Sequence, residues 1–318
     1  MGYPSTGRTI AAVCARRLTQ AVLVALVVST VSFFMMRALP GDPAFRIAAA
    51  RYGEDLVSAA AADQVRTELG LDQPWPRALG DWMARSVRFD LGVSFVTGAP
   101  VIREIQEQLG HTLVLSAVAM GASLLVGPVL GAFIGWRAGS RLDRVVRLGT
   151  VLVKAVPSFL LGVVFVMAFS IQFASLPAAG HADATSVILP ALTLAVGLVA
   201  GSCRITRDAM HRVRDSEYFM FARTKGLSER DTFLHHAVRN AAAPVVAYLG
   251  VQLVFLIEGV IAVETLFAWP GIGHALVHAV FGRDIPMIQG TALVMALMFV
   301  SLNAMIDVAT LAIDPRRR

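Results

Sequence analysis

The chain has 318 residues, of which 56% are hydrophobic and 16% charged, with a mean hydropathy of +0.66. That balance excludes a soluble globular domain, in which roughly a quarter of residues are charged. The net charge of +6 and a pI of about 10.0 raise nucleic-acid binding, which the placement of the charges then excludes. Cys14 and Cys203 lie far apart near the ends of apolar runs, so two reduced thiols are expected and no disulfide framework.

Arg8, Arg16 and Arg17 precede Leu18–Met36, an apolar run that reads as the first membrane span with its N-terminus inside. It is too long for a signal-peptide core, and no small-residue cleavage site follows it. Pro40, Gly41 and Pro43 end it. The polar block that follows, up to His111, carries eight basic and ten acidic residues and reads as a small helical insertion. Helix signals there cover Leu56–Leu69 stopped at Gly70, Pro76–Phe89, and Pro100–Leu109. Trp75 and Trp82 read as interfacial anchors.

Thr112–Trp136 is the second span. Its Ser123, Gly127, Gly131 and Gly135 recur every four residues, a face suited to close helix packing. Leu148–Phe173, Val187–Cys203, Ala243–Ala262 and Ile288–Ala312 complete six spans. Between the fourth and fifth lies the charge-dense stretch Arg204–Pro244. Each Lys, Arg or Asp at mid-bilayer costs about 2.5–3.5 kcal/mol, so this stretch is expected to stand in water. Within it, the apolar patch Tyr218–Ala222 is followed by Arg223, Lys225 and Gly226, the pattern of a short helix stopped by glycine. Ser228–Asp231 is an N-cap signal for a second helix carrying Phe233, Leu234, Ala237, Val238 and Ala241 on one side. Pattern alone leaves open whether this apolar side packs on its own membrane domain or on a partner.

The positive residues set the orientation. Three precede Leu18, four lie in Arg137–Arg147, eight in Arg204–Arg239 and three at the C-terminus, against only Arg283 in the outer loops other than the insertion. Both termini are therefore expected inside, and the high pI reflects cytoplasmic anchoring, not nucleic acid. The layout divides into 1–36 (N-terminus and first span), 37–111 (extracellular insertion) and 112–318 (transmembrane core). The core carries a cytoplasmic loop at 204–242 and a Pro/Gly-broken re-entrant segment at 264–287.

Chemistry-bearing patterns are sparse. The two lysines, Lys154 and Lys225, belong to no phosphate-cradling G-x-x-x-x-G-K-[ST] loop, so ATP, if used, is bound by another polypeptide. His274 and His278 stand at i, i+4, but no third ligand completes a metal motif. No catalytic residue and no metal site is expected. Glu258 and Asp307 are intramembrane acids near span ends, too few for a proton relay without a broken-helix pair in each half. Glu258 and His278 are candidates for lining the pathway.

Several runs carry a family resemblance. Phe221–Arg230, followed by His236-Ala237-Val238-Arg239-Asn240-Ala241 and Pro244, resembles the EAA loop of ATP-binding-cassette importer permeases of the dipeptide, oligopeptide and nickel branch. Met220 and Phe221 stand where the namesake Glu and first Ala would be, and Val238 replaces the usual Leu. Leu39–Pro43, Glu68–Pro74 and Asp90–Phe95 resemble runs of the first of the two permeases of peptide importers, Phe89 and Gly110-His111 departing from the usual glycine and proline. Glu264–Gly273 and Arg283-Asp284-Ile285-Pro286 with Gln289-Gly290 resemble the family's re-entrant segment and its continuation.

The resemblance implies an all-α polytopic membrane protein with six transmembrane helices, the type I ABC importer permease fold, and a helical extracellular insertion between spans 1 and 2. It implies a non-catalytic permease of an ATP-driven, binding-protein-dependent peptide importer in a prokaryotic plasma membrane. The implied partners are a second homologous permease, two ATPase subunits or domains that bind ATP and Mg, an extracytoplasmic solute-binding protein, peptide and membrane lipid. Tyr218, Phe219, Phe221, Ala222, Arg223, Lys225, Gly226 and Leu227 would dock on the ATPase. Glu264, Phe267, Pro270, Gly271, Gly273, Arg283 and Asp284 would form the extracellular gate. A nickel or other small-solute importer is the alternative, and an ion-coupled secondary carrier a more distant one.

Overall fold

The computed structural model describes residues 6–38, 40–53, 57–70, 72–226, 228, 232–233 and 238–313. The described residues are helical apart from turns and one isolated bridge between Val93 and Pro100. Among the described residues five helices are long and apolar enough to cross a membrane, and a bent pair makes six if it is counted as one span. The chain divides into two compact units.

One unit comprises Cys14–Thr112 and Pro270–Ser301. Its first helix, α1, is Thr6–Ala38, followed by α2 (Pro43–Tyr52), α3 (Ala59–Leu69) and α4 (Trp75–Val87). The caps follow the sequence. Asp42 accepts the Ala44 N–H at 2.9 Å with Pro43 at the first helical position, and Ser58 accepts that of Ala61 at 3.2 Å. Gly70 ends α3 in the left-handed conformation, φ 59°. Ala44, Ile47, Ala48, Ala62 and Val65 form the small core between α2 and α3. A larger core joins Trp82, Leu91, Val101 and Ile105 to Ile272, Met287 and Leu293. Sequence reasoning missed α2, whose alanine-rich face carries little hydrophobic signal.

The expected Pro100–Leu109 helix and the second span are one helix, α5 (Val101–Trp136), because Gly110 costs a helix interior only about 1 kcal/mol.

The other unit comprises Met1–Val13, Leu113–Trp269 and Leu302–Arg318. The expected third span is not one rod. Helix α6 (Arg141–Ala155) and helix α7 (Ser158–Phe165), which continues as a π-helical stretch Val166–Gln172, meet at 103°. Val156, forced towards extended backbone by Pro157, has φ −92° and ψ 127°, and this breaks the helix. Helix α8 (Ile188–Arg214) is the buried centre of the unit, with 61% of its apolar window buried against 17% for α1. The glycine face of α5 lies on it. A Cβ at Gly127 would stand 2.8 Å from the Ser202 Cβ, and one at Gly135 would stand 2.6 Å from the Arg207 carbonyl oxygen. Such close backbone approach is what a small-residue stripe is for. Around it a buried polar group is satisfied: the Ser123 hydroxyl lies 3.2 Å from that of Ser202 and 3.3 Å from Gln252 Oε1, and Gln252 donates to the Leu198 carbonyl.

Helix α9 is Glu217–Thr224 and helix α10 is Arg239–Leu266. Helix α11 (Ile272–Gly282) follows in the first unit described, and α12 (Ile285–Ile313) carries the last span.

Candidate coupling stretch and re-entrant segment

The charged stretch begins inside a helix. Helix α8 runs eleven residues past Cys203, to Arg214, and Arg207 on it is only 8% exposed. This corrects the expectation that the whole of Arg204–Pro244 stands in water. Arg207 escapes the desolvation cost because it grips Asp143, 1% exposed, with two bonds: Nε to Oδ1 at 2.9 Å and Nη2 to Oδ2 at 2.6 Å. A second charge, Asp208, sits 3.0 Å from Nη1, and the Gly139 N–H donates to Asp143 at 2.9 Å. A bidentate, further hydrogen-bonded pair is the form in which ions tolerate burial. The pair ties α8 to the start of α6. In the sequence Arg207 counts only among the inner positive residues and Asp143 has no assigned role, and their separation of 64 residues hides the pairing.

Helix α9 is fixed by one ring and displays another. Phe219 is 3% exposed and packs with Met210, Val213 and Ala241, its ring 5.6 Å from that of Trp136. Phe221 is 60% exposed and Met220 63%. Of Phe219 and Phe221, both expected to dock on a partner, only Phe221 points outward. Two residues on a 3.6-residue turn lie about 200° apart, which was the legible signal that both could not face one partner. Trp136, at the end of α5, is the hub of the anchor. Phe233 meets it edge-on at 4.8 Å, and Arg214 lies 5.5 Å above its ring and donates to its carbonyl.

On the outer side of α9, the Lys225 ammonium sits 4.6 Å over the Phe221 ring. Ala222 is buried, Lys225 exposed, and Gly226 has φ 87°, the left-handed turn its position demands. The side chains of Tyr218 and Arg223, all of Leu227, and the Leu234–Ala237 part of the expected second helix lie outside the described residues. So does the Glu258 side chain.

The re-entrant segment begins with a tight turn. Glu264 (0% exposed), Phe267 (1%) and Trp269 (2%) are fully enclosed, and the Trp269 N–H donates to the Glu264 carbonyl at 2.9 Å. The Gly180 N–H donates to the Phe267 carbonyl at 2.8 Å, and His181 meets Trp269 edge-on at 4.7 Å, so the loop after the π-helical stretch braces the turn. In that loop, hydrogen bonds from the Thr185 and Ser186 side chains hold the Asp183 carboxyl below the usual carboxylate range.

Beyond Pro270, Gly271 precedes α11, whose Ile272 N–H donates to the Thr112 hydroxyl at 2.9 Å, and Gly273 is buried. Arg283 ends α11 at φ 51° and turns its guanidinium onto the Gly41 carbonyl at 3.1 Å and onto that of Pro40. Asp284, 3% exposed, accepts the Phe95 N–H at 3.0 Å and the Ser94 hydroxyl. The Arg-Asp pair therefore clamps two separate runs of the insertion to the end of α11. His278 faces His274 at 4.4 Å beside a cavity of about 530 Å³ that Arg46, Glu104 and Gln108 also line. Burial, and then the neighbouring His278, pushes His274 below the ordinary imidazole range. Among the described residues no group of three His, Cys, Asp or Glu is placed to hold a metal.

Among the described residues, five long apolar helices and a bent pair, a glycine-packed centre and a short helix displaying an aromatic between two of them are the architecture of a polytopic membrane protein. Its family follows from the matches. Residues 127–318 match the "Binding-protein-dependent transport system inner membrane component" family, and residues 12–116 match the N-terminal component of the same systems. The chain belongs to this family of ABC transporter permeases. It is 37% identical over 311 residues to a Brucella abortus (strain 2308) protein named as a peptide transport system permease, covering 95% of this chain and 98% of that one. It is 36% identical over 304 residues to the glutathione transport system permease protein GsiC of Pectobacterium atrosepticum, covering 95% and 97%. The fold is shared with an amino acid ABC transporter crystallised with histidines, at TM-score 0.52 and 16% identity, over 68% of this chain and 95% of that one.

Proposed function

We propose that the chain is one permease subunit of an ATP-driven importer of peptides, working beside a second permease, with ATP and Mg bound by separate ATPase subunits and cargo delivered by an extracytoplasmic binding protein. Both termini lie in the cytoplasm on this reading, as the inner positive charges favour. Peptide cargo is favoured over nickel by the relatives' names, peptide and glutathione permeases among them.

The observation that carries the coupling role is the division of labour on α9. Phe219 is sunk against Trp136, while Met220 and Phe221 project beside Lys225. A short helix anchored by one face and apolar on the other is a lever that a groove in a motor subunit can grip. Gly226 lets the chain turn sharply after the lever. The re-entrant turn, with Glu264, Phe267, Pro270, Gly271, Gly273, Arg283 and Asp284, serves as the gate that meets the loaded binding protein. Glu258 and His278 are proposed to line the pathway.

The test is co-purification. Phe221→Asp should leave the permease folded and abolish retention of the ATPase subunits, with uptake of labelled di-, tri- and pentapeptides lost in a deletion strain. Undiminished assembly and uptake would remove the coupling role. Uptake of nickel in place of peptides would remove the cargo.

A further inference from the structure

The insertion holds a cavity that the transport reading does not use. Its volume is about 900 Å³, within the range of small-ligand pockets. Its walls come from the end of α1, from α4 and from the start of α12, and residues of each run that carries the family resemblance in the insertion border it: Pro43, Leu69 and Gly92 among them.

Its polar lining is one-sided. Arg37, Arg85 and Arg88 face a single acid, Asp81. Elsewhere in the insertion Arg51 pairs with Glu68 at 3.0 Å and Arg66 with Asp42 at 2.6 Å. Among the described residues, none of the three cavity arginines has a carboxylate partner. Arg37 is held in place by donating to the Gln73 carbonyl at 2.9 Å and by lying 5.3 Å over the Phe33 ring. Two further lining residues are deeply buried, Gln289 at 3% exposed and Trp82 at 4%. Gln289 Nε2 and Trp82 Nε1 find no hydrogen-bond partner among the described residues. Both are donors. Burying an unmet donor is costly. Two of them beside three arginines that meet no carboxylate among the described residues, Arg37 and Arg85 meeting backbone carbonyls instead, describe the complement of an anion rich in acceptor oxygens.

The position selects the kind of anion. The apolar window of α1 ends at Met35, and Arg37 stands two residues beyond it, where a headgroup meets the hydrocarbon. Trp75, half exposed, packs on Phe34 at 5.3 Å at the same level, as an interfacial aromatic does. Below it α1 leaves Leu23, Val27 and Val31 exposed, an apolar track for acyl chains. Phe33, Leu91 and Ile285 supply apolar wall to the cavity itself.

We propose that this cavity binds the phosphodiester headgroup of an anionic phospholipid, with Arg37, Arg85 and Arg88 as its charge partners and Gln289 and Trp82 as neutral donors. The site fixes the insertion to the membrane by a bound lipid, and it stands whether or not the cargo is a peptide.

The experiment uses the purified full chain in nanodiscs of phosphatidylcholine with rising phosphatidylglycerol, read by lipid retention in native mass spectrometry. Wild type should retain phosphatidylglycerol over phosphatidylcholine, and the double change Arg85→Gln, Arg88→Gln should cut that preference about tenfold. Arg77→Gln, on the same helix but outside the lining, should leave it unchanged. Trp82→Phe keeps the ring and removes one donor, so a partial loss is expected even if the double variant folds poorly. Equal retention by wild type and Trp82→Phe together with the double variant overturns the site. Displacement of the lipid by glycerol phosphate at matched concentration assigns the donors to a soluble phosphate ester and overturns the lipid source. Displacement by a dipeptide alone assigns the site to cargo and does the same.

Discussion

The coupling stretch and the re-entrant segment are fastened by opposite means. Helix α9 is held by rings, with Phe219 and Phe233 against Trp136. The end of α11 is held by charge, with Arg283 on two backbone carbonyls and Asp284 on a hydroxyl and an N–H. Aromatic packing is broad in direction, so an element held by it tilts without losing all of its contact energy. Charge-assisted hydrogen bonds are short and directional, so an element held by them keeps its register or releases it altogether. On the proposed function, a lever that moves under load and a gate that holds its shape call for these two fastenings respectively.

The largest expected effect breaks the ring anchor. Phe219→Ala should cost about 3–5 kcal/mol, because a buried phenyl leaves both its transfer energy and a cavity behind. Thermal unfolding in detergent reads the stability, and ATPase retention reads the lever. Phe219→Leu should restore most of the stability. Were Phe219→Ala to melt like wild type while ATPase retention fell, Phe219 would be a docking residue after all.

Breaking the clamp should cost less. Asp284→Ala leaves the buried Ser94 hydroxyl unmet, at about 1–3 kcal/mol, and the part-buried Phe95 N–H able to turn to water. The loss should be local, so hydrogen exchange should rise around Phe95 and α11 while α9 keeps its protection. Arg283→Lys is a sharper probe, since an ammonium reaches one carbonyl where the guanidinium fork reaches both. Exchange rising equally in α9 would show that the clamp is not a separate fastening. A smaller change still is Gly226→Ala, about 1 kcal/mol for a β-carbon at φ 87°.

How legible these fastenings were differs in a physical way. The spans, the glycine face of α5 and the turns at Gly70 and Gly226 follow from period and backbone sterics, which are local and therefore written in neighbouring residues. The break at Pro157 is also local, and its signal stood in the sequence as Val156-Pro157. The clamp brings Asp284 to Ser94, 190 residues away, and the buried pair joins Arg207 to Asp143 across 64. No spacing rule reaches that far. The motif resemblance named Arg283 and Asp284 without their partners, and only the fold supplies Pro40, Gly41, Ser94 and Phe95.

The smallest expected effect separates the two regions by acid. His274, on the helix that ends at the clamp, is pushed below the ordinary imidazole range by burial and then by His278, so the folded state favours its neutral form. The groups around it in the cavity lining are Arg46 from α2, Glu104 from α5, and His278 and Asp284. Where the unfolded chain binds more protons than the folded one, stability rises with pH. The contribution of His274 is therefore complete above the unfolded value of about 6.5 and declines as pH falls from there towards the lower folded value. Exchange of the α11 amides should quicken over that window in wild type and stay flat in His274→Gln. His278→Gln should narrow the window without abolishing it, because it removes the second cause and leaves burial, the first. A wild-type profile that did not change below neutral pH would detach His274 from the packing of α11, and the clamp would then be sensitive to charge only at Arg283 and Asp284.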